Sequence, residues 1–106
     1  MFDEPTQKAG TTWEIKIFMQ NLEEKREKIE KIDKKIIQLL GERLDLVKEI
    51  GRIKKEENLE IEDKDREGKI KVEYKKIAKD LNLDLEELWQ VFNKILEWSK
   101  KVQGEK

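Results

Sequence analysis

Two residue types that carry much of protein chemistry are missing from this sequence, which has no cysteine and no histidine. Without cysteine there are no disulfides and no thiol nucleophile, and most zinc sites are excluded. Without histidine the chain lacks the usual general base near neutral pH. These absences leave mainly fixed charges and hydrogen-bond donors for any chemistry that the chain performs.

Long apolar runs and an excess of one charge are absent as well. No stretch of about 18 apolar residues occurs, and the N-terminus lacks the pattern of a signal peptide, so we expect a cytoplasmic protein that does not enter a membrane. Lysine and arginine number 24 against 25 acidic residues. No broad positive field therefore exists to attract nucleic acid or an anionic membrane surface.

What the chain has in abundance is charge of both signs. Its 106 residues leave room for one domain with a small core, and 46% of them are charged whereas 36% are hydrophobic. This balance is typical of a helical bundle with strongly solvated faces. The abundance of Lys and Glu also predicts a thermophilic source.

The sequence from Asn21 to Lys55 predicts one very long helix. It contains no proline, and its apolar residues recur at spacings of three, four and seven; they are Ile29, Ile32, Ile36, Leu40, Val47 and Ile50. At about 1.5 Å per residue this helix is about 50 Å long, whereas a compact chain of this size measures about 35 Å across. We therefore expect the helix to bury its excess length against a second copy of the chain.

Residues 1–20 are interpreted as an N-terminal extension and residues 21–106 as the functional domain. Thr11 and Glu14 have the spacing of a capping box, which predicts a helix that starts just after it. The alternating apolar residues of 13–17 would instead suit a short strand. The sequence leaves both readings open.

Two shorter helices are predicted after the long one. Asn58 is suited to close the first helix, and Asp63 to cap a second that reaches about Asp80. Residues 82–83 form a tight turn, and Asp84 with Glu87 opens a third helix to about Val102. The predicted fold class is therefore all-α, with three helices in each chain.

On each helix, the row of apolar residues that faces the core (its stripe) contains polar residues at defined positions. Buried polar groups are costly unless they are paired. Most of these polar residues lie near helix ends, where their side chains could simply reach water. Arg43 is different, because it lies mid-helix between apolar residues. Together with Arg26, these polar residues would form a site with a positive excess, suited to a small polyanion. They do not have the pattern of a metal site. The stripe residues are Arg43, Lys54, Asp63, Arg66, Glu67, Ser99 and Gln103.

At these positions the sequence resembles the all-helical chorismate mutases. The resemblance extends from about Leu22 to Gln103 without an insertion. Each motif alone is weak because charged helices are common, but all eight positions occur at the family's spacing. The motifs are Arg26 in KREKI, Arg43 in GERL, Lys54 in IGRIK, Asp63 to Glu67 in DKDRE, and Ser99 with Gln103.

The resemblance implies both an activity and an assembly. Members of this family convert chorismate to prephenate, a pericyclic Claisen rearrangement on the route to phenylalanine and tyrosine, and need no cofactor or metal. They are intertwined homodimers with two equivalent active sites. Each site is built from three helices of one chain and the long helix of the other.

The resemblance also implies roles for the cations and amides. Arg43 and Arg26 of the partner subunit would clamp the two substrate carboxylates, and Ser99 would assist at a carboxylate. Lys54 and Gln103 would donate hydrogen bonds to the ether oxygen, where negative charge builds as the carbon–oxygen bond breaks.

The remaining implied roles concern the substrate ring. Asp63, Arg66 and Glu67 would hold its hydroxyl group. Ile50 and Leu96 would form apolar walls.

Two alternatives remain open at this stage. An isochorismate pyruvate lyase of the same fold handles a similar dianion without a cofactor, and only product analysis separates it from a mutase. A non-catalytic helical dimerisation module would have no need of cations on its core faces.

Two structural expectations concern residues with no assigned chemistry. Gly41 lies inside the long helix, where glycine costs about 1 kcal/mol relative to alanine, so we expect a close helix crossing there. Trp89, Phe92 and Trp98 occur at helical spacing and are interpreted as dimer core.

Overall fold

The computed structural model describes residues 12–104, all of whose regular structure is α-helical. The helices are α1 (Thr12–Glu56), α2 (Lys64–Asp80) and α3 (Leu85–Val102). The predicted all-α class with three helices, one of them very long, is confirmed. The chain divides between Leu40 and Gly41 into two compact units, which are described separately below.

α1 begins earlier than the predicted start at Asn21. It is already helical at Thr12, so the helical reading of this region is confirmed and the strand reading of 13–17 is wrong. Thr11, half of the expected capping box, lies outside the described residues. Glu14 lies in the first turn, where a carboxylate interacts favourably with the helix dipole. The division into an extension of residues 1–20 and a domain of residues 21–106 stays a prediction.

Asn58 closes α1, as predicted, and Asn82, in the predicted tight turn, closes α2 in the same way. Asn58 and Asn82 both have a φ of 60°, a left-handed conformation that asparagine tolerates better than most residues. The backbone N–H of Leu59 donates to the carbonyl of Lys54 at 2.7 Å, and that of Leu83 donates to the carbonyl of Ala78 at 2.8 Å. These are the hydrogen bonds of Schellman motifs, which reverse the chain sharply after α1 and α2.

Aspartates cap the two shorter helices, also as predicted. The carboxylate of Asp63 accepts a hydrogen bond from the backbone N–H of Arg66 at 3.1 Å. That of Asp84 accepts one from the N–H of Glu87 at 2.9 Å. Each bond satisfies a backbone donor that the first helical turn leaves without a partner.

α2 and α3 pack against each other in the second unit, where the rings of Tyr74 and Phe92 meet edge to face at a centroid distance of 4.9 Å. Phe92 therefore contributes to packing within one chain. The ammonium of Lys71 lies 5.6 Å from the ring centroid of Trp89. Trp98 is 49% exposed. The burial of Trp89, Phe92 and Trp98 in a dimer core stays a prediction.

The first unit leaves its apolar stripe uncovered. Ile29 is 57% exposed, Ile32 55% and Ile36 50%. In the second unit, by contrast, Val47 is buried on the continuation of α1. The half of α1 that was expected to face a core thus has no cover from the described chain.

In the part of the chain that the structure describes, no helix is both long enough and apolar enough to cross a membrane.

Candidate active site

A cavity of about 150 Å³ lies in the second unit and collects most of the residues singled out by the sequence. Its walls come from the end of α1, the connection to α2, and facing turns of α2 and α3. Arg26, in contrast, belongs to the first unit, where its side chain lies 3.5 Å from the carboxylate of Glu23. The predicted residues that line the cavity are Arg43, Ile50, Lys54, Asp63, Arg66, Glu67, Leu96, Ser99 and Gln103.

Arg43 is held to α3 through Ser99. Its guanidinium donates to the Ser99 hydroxyl oxygen, and that hydroxyl donates in turn to the carbonyl of Ile95 at 2.8 Å. Ser99 is only 4% exposed, so the contact lies deep in the unit. A guanidinium carries five N–H donors. The bond to Ser99 therefore fixes the Arg43 side chain while most of its donors stay available to a ligand.

Lys54 holds the connection between α1 and α2. Its ammonium donates to the backbone carbonyl of Ile61 at 2.6 Å. Ile61 also lines the cavity, so this bond joins two of its walls. An ammonium has three donors, and the bond to Ile61 occupies one of them.

Lys100 is a cavity residue that the sequence reasoning missed. Its ammonium lies 2.7 Å from a carboxylate oxygen of Glu62 and 3.1 Å from one of Glu67. The spacing contains a signal that would have found it, because Lys100 follows Leu96 by four positions and precedes Gln103 by three. All three therefore lie on one face of α3.

The ion pair between Lys100 and Glu62 favours the charged forms of these two groups. The hydrogen bond from Lys100 lowers the pKa of the Glu62 carboxyl below its ordinary value. The same hydrogen bond raises the pKa of the Lys100 ammonium, although partial burial opposes this shift. Glu62 as an anion and Lys100 as a cation are thus both favoured near neutral pH.

Gln103, which caps the end of α3, lies close to Gly51 of α1. A Cβ atom built at Gly51 would lie 3.0 Å from the Cα of Gln103, so glycine permits this approach. The amide oxygen of Gln103 is buried and has no hydrogen-bond partner among the described residues. A buried acceptor without a partner costs about 1–3 kcal/mol.

The predicted close crossing at Gly41 is not made within the described chain. No atom lies within 4 Å of a Cβ built at Gly41, whereas Gly51 is buried against α3. Gly51 follows the buried Val47 by four positions, which puts both on the same face of α1. That spacing would have singled out the glycine at which the described chain makes a close approach.

The charged lining of the cavity has a positive excess. Four cations face two carboxylates, a balance suited to an anionic ligand with two charges. Within residues 12–104, no group of three or more acidic side chains is placed to hold a metal ion. The charged residues are Arg43, Lys54, Arg66 and Lys100, with Asp63 and Glu67.

Comparison with known proteins identifies relatives of this chain. The family model for chorismate mutase type II matches residues 25–104. The chain is 34% identical to a chorismate mutase from Methanocaldococcus jannaschii over 85 residues, which make up 80% of this chain and 86% of that protein. It is 41% identical over 78 residues to a bifunctional chorismate mutase/prephenate dehydratase from Buchnera aphidicola. That match covers 74% of this chain but only 20% of the longer protein.

A solved structure is similar too, that of a conserved hypothetical protein from Pyrococcus furiosus. The two sequences are 42% identical and the TM-score is 0.59. The match covers 78% of this chain and 95% of that chain.

The approach at Gly51 predicts opposite effects of alanine at two helical glycines. Gly51→Ala gains about 1 kcal/mol of helix propensity, but its Cβ presses on Gln103, and such overpacking costs about 1–3 kcal/mol. We expect it to lower the free energy of unfolding, as measured with urea at fixed protein concentration. Gly68→Ala is the control, because nothing lies within 4 Å of its added Cβ. It should stabilise the protein by about 0.5–1 kcal/mol, and an equal gain at Gly51 would contradict the argument.

Proposed function

Since this chain belongs to the chorismate mutase type II family, we propose that it converts chorismate to prephenate in the cavity of its second unit. It is an isomerase, and the relatives that combine a mutase with a prephenate dehydratase link it to aromatic amino acid biosynthesis. The observation that carries the assignment of the site is the gathering of the predicted cations and carboxylates around one cavity.

The rearrangement suits a site without a nucleophile. One carbon–oxygen bond breaks while a carbon–carbon bond forms within the same molecule, so no covalent intermediate and no net proton transfer are needed. The protein accelerates such a reaction by holding the compact conformer of the substrate and by stabilising the charge that develops in the transition state. Fixed cations and amides are sufficient for both tasks.

Arg43 binds a carboxylate of the substrate in this proposal. Its guanidinium is already oriented by Ser99, so little side-chain freedom remains to be lost on binding. The planar fork of donors matches a carboxylate in two-point contact. Ser99 assists at this carboxylate by holding the fork of Arg43 in place.

Lys54 and Gln103 stabilise the breaking bond. Both line the cavity, and both carry N–H donors that can point at the ether oxygen as it becomes negative. The ammonium of Lys54 is fixed by its bond to Ile61, which leaves two donors for the substrate.

The acidic side of the cavity binds the ring hydroxyl. Glu67 accepts its hydrogen bond, and Asp63 and Arg66 line the cavity beside it. A carboxylate offers about four acceptor sites, so Asp63 can cap α2 and still contact the ligand. Ile50 and Leu96 supply apolar walls.

A second copy of the chain completes the assembly. The uncovered side chains of Ile29, Ile32 and Ile36 give a partner an apolar surface, and burying a side chain of this size is worth about 1.5–3 kcal/mol. Arg26 lies on the same helix, in the first unit. We infer an intertwined homodimer in which each cavity receives Arg26 of the partner subunit, bound to the second substrate carboxylate.

Neither alternative function gains support from the relatives, whose names describe mutases and not lyases or binding modules. The cytoplasmic location and the thermophilic source stay predictions from composition.

The direct test is to mix the protein with chorismate, follow the loss of its ultraviolet absorbance, and identify the product. Prephenate would support the proposal. Release of pyruvate would indicate a lyase, and the absence of conversion would reject both enzymatic readings.

Arg43→Lys in the same assay tests the geometry of the carboxylate clamp. The charge remains but the planar pair of donors is lost, so kcat/KM should fall by about ten- to a hundredfold, the equivalent of one charged hydrogen bond. Arg52→Lys is the matched control, because Arg52 is exposed on the same helix and does not line the cavity. Equal activity of the two variants would remove Arg43 from the substrate contact.

Gln103→Glu should make the rate depend on pH in a way that the parent does not. A carboxyl group of ordinary pKa is ionised above about pH 4 to 5 and would then repel the negative charge on the ether oxygen. The variant should be slow at about pH 7 to 8 and should recover as the pH falls and the carboxyl becomes a neutral donor. A pH profile parallel to that of the parent would show that Gln103 does not contact the reacting oxygen.

Complementation between subunits tests the shared site. Homodimers of Arg26→Ala and of Arg43→Ala should both be almost inactive. A mixed dimer contains one site that has both arginines and one that has neither, so unfolding the two variants together and refolding them should restore activity. The assignment of Arg26 to the partner is wrong if verified mixed dimers stay as inactive as either parent.

A further inference from the structure

Lys100 makes two contacts that the roles assigned above do not use. Its ammonium lies between Glu67, which lines the cavity, and Glu62, which does not. Its side chain is 21% exposed and that of Glu67 is 32% exposed, so solvent screens the ion pair with Glu67 less than it would on an open surface. α3, the start of α2 and the connection before α2 thus meet at a single cation.

We propose that Lys100 is a positioning residue for the isomerisation, which acts by holding the Glu67 carboxylate in place at the cavity wall. The proposal rests on the function assigned above. Glu67 has a flexible side chain at the first turn of α2, and a carboxylate that must accept a hydrogen bond from the ring hydroxyl binds better when its rotamer is already fixed.

Charge balance provides a second reason for this cation. Glu67 brings a negative charge into a cavity that receives a dianion, and like charges at short range oppose binding. Lys100 lies 3.1 Å from Glu67 and offsets that charge without removing the acceptor. The ring hydroxyl can then be bound by an anion while the cavity keeps its positive excess.

The contact with Glu62 offers a way to separate positioning from structural support. Glu62 belongs to the connection between α1 and α2, which Lys54 also holds through Ile61. Glu62→Gln weakens the link of Lys100 to this connection and leaves its pair with Glu67 intact. It is therefore a matched control for any general loosening of the fold.

The experiment measures KM and kcat for chorismate in the full chain carrying Lys100→Met, Lys100→Arg or Glu62→Gln. Methionine has a similar length but no charge, and we expect it to raise KM about tenfold while kcat falls less, because Glu67 binds a group outside the bonds that change. Lys100→Arg can still bridge two carboxylates and should recover most of the lost affinity. Glu62→Gln should stay close to the parent.

A double-variant cycle decides whether Lys100 acts through Glu67. In a Glu67→Gln background there is no carboxylate to hold, so adding Lys100→Met should change KM little. Equilibrium binding of prephenate, measured by calorimetry, gives the same comparison where turnover is too slow. If the effects of Lys100→Met and Glu67→Gln on KM simply add, the proposal is overturned, since Lys100 would then supply only general charge.

The other possible results also test the role proposed for Lys100. An active parent with an unchanged KM in Lys100→Met would overturn this inference and leave the proposed function standing. Equal losses in Glu62→Gln and Lys100→Met would overturn it as well, because support of the connection would explain both. A parent that does not convert chorismate would overturn the function and this inference together.

Discussion

The close approach of α3 to α1 at Gly51 is the constraint on which the cavity depends. A Cβ at this position would lie 3.0 Å from the Cα of Gln103, so glycine permits the approach. Earlier on α1, Arg43 donates to the hydroxyl of Ser99 on α3. Arg43, Gly51 and Lys54 lie on one side of α1 through their spacing, so the contact at Gly51 is on the same side of the helix as two of the cations proposed to bind the substrate.

Charged side chains around the cavity reduce the folding stability of a protein with so small an apolar core. Within the described residues, the fully covered apolar side chains are few, with Val47 at 6% and Ala78 at 0% exposure. An apolar residue in place of Arg43 would add to this core, because a half-buried guanidinium must be paired to be tolerated. A chain selected for stability alone would favour that exchange. The retained cation is consistent with selection for activity at some cost in stability.

Much of the fold could be predicted from the sequence because its signals are local. Apolar spacing and capping aspartates define α2 and α3, and asparagines mark where α1 and α2 end. The long helix was predicted to start at Asn21, but residues 12–20 contain no proline or glycine that would interrupt it, and α1 extends back to Thr12.

The candidate site was predicted from polar interruptions of apolar stripes, and that reasoning works best for residues such as Arg43 that lie mid-helix between apolar residues. It failed for Lys100, because a lysine near a helix end usually extends into water. It also did not single out Gly51, since only the packed structure shows which glycine meets a neighbour within the chain. Asp63 has a further consequence for evolution, because it both caps α2 and lines the cavity. A substitution of Asp63 therefore changes both the cap of α2 and the charge of the cavity, whereas asparagine, an equally good cap, would keep the helix and remove only the charge.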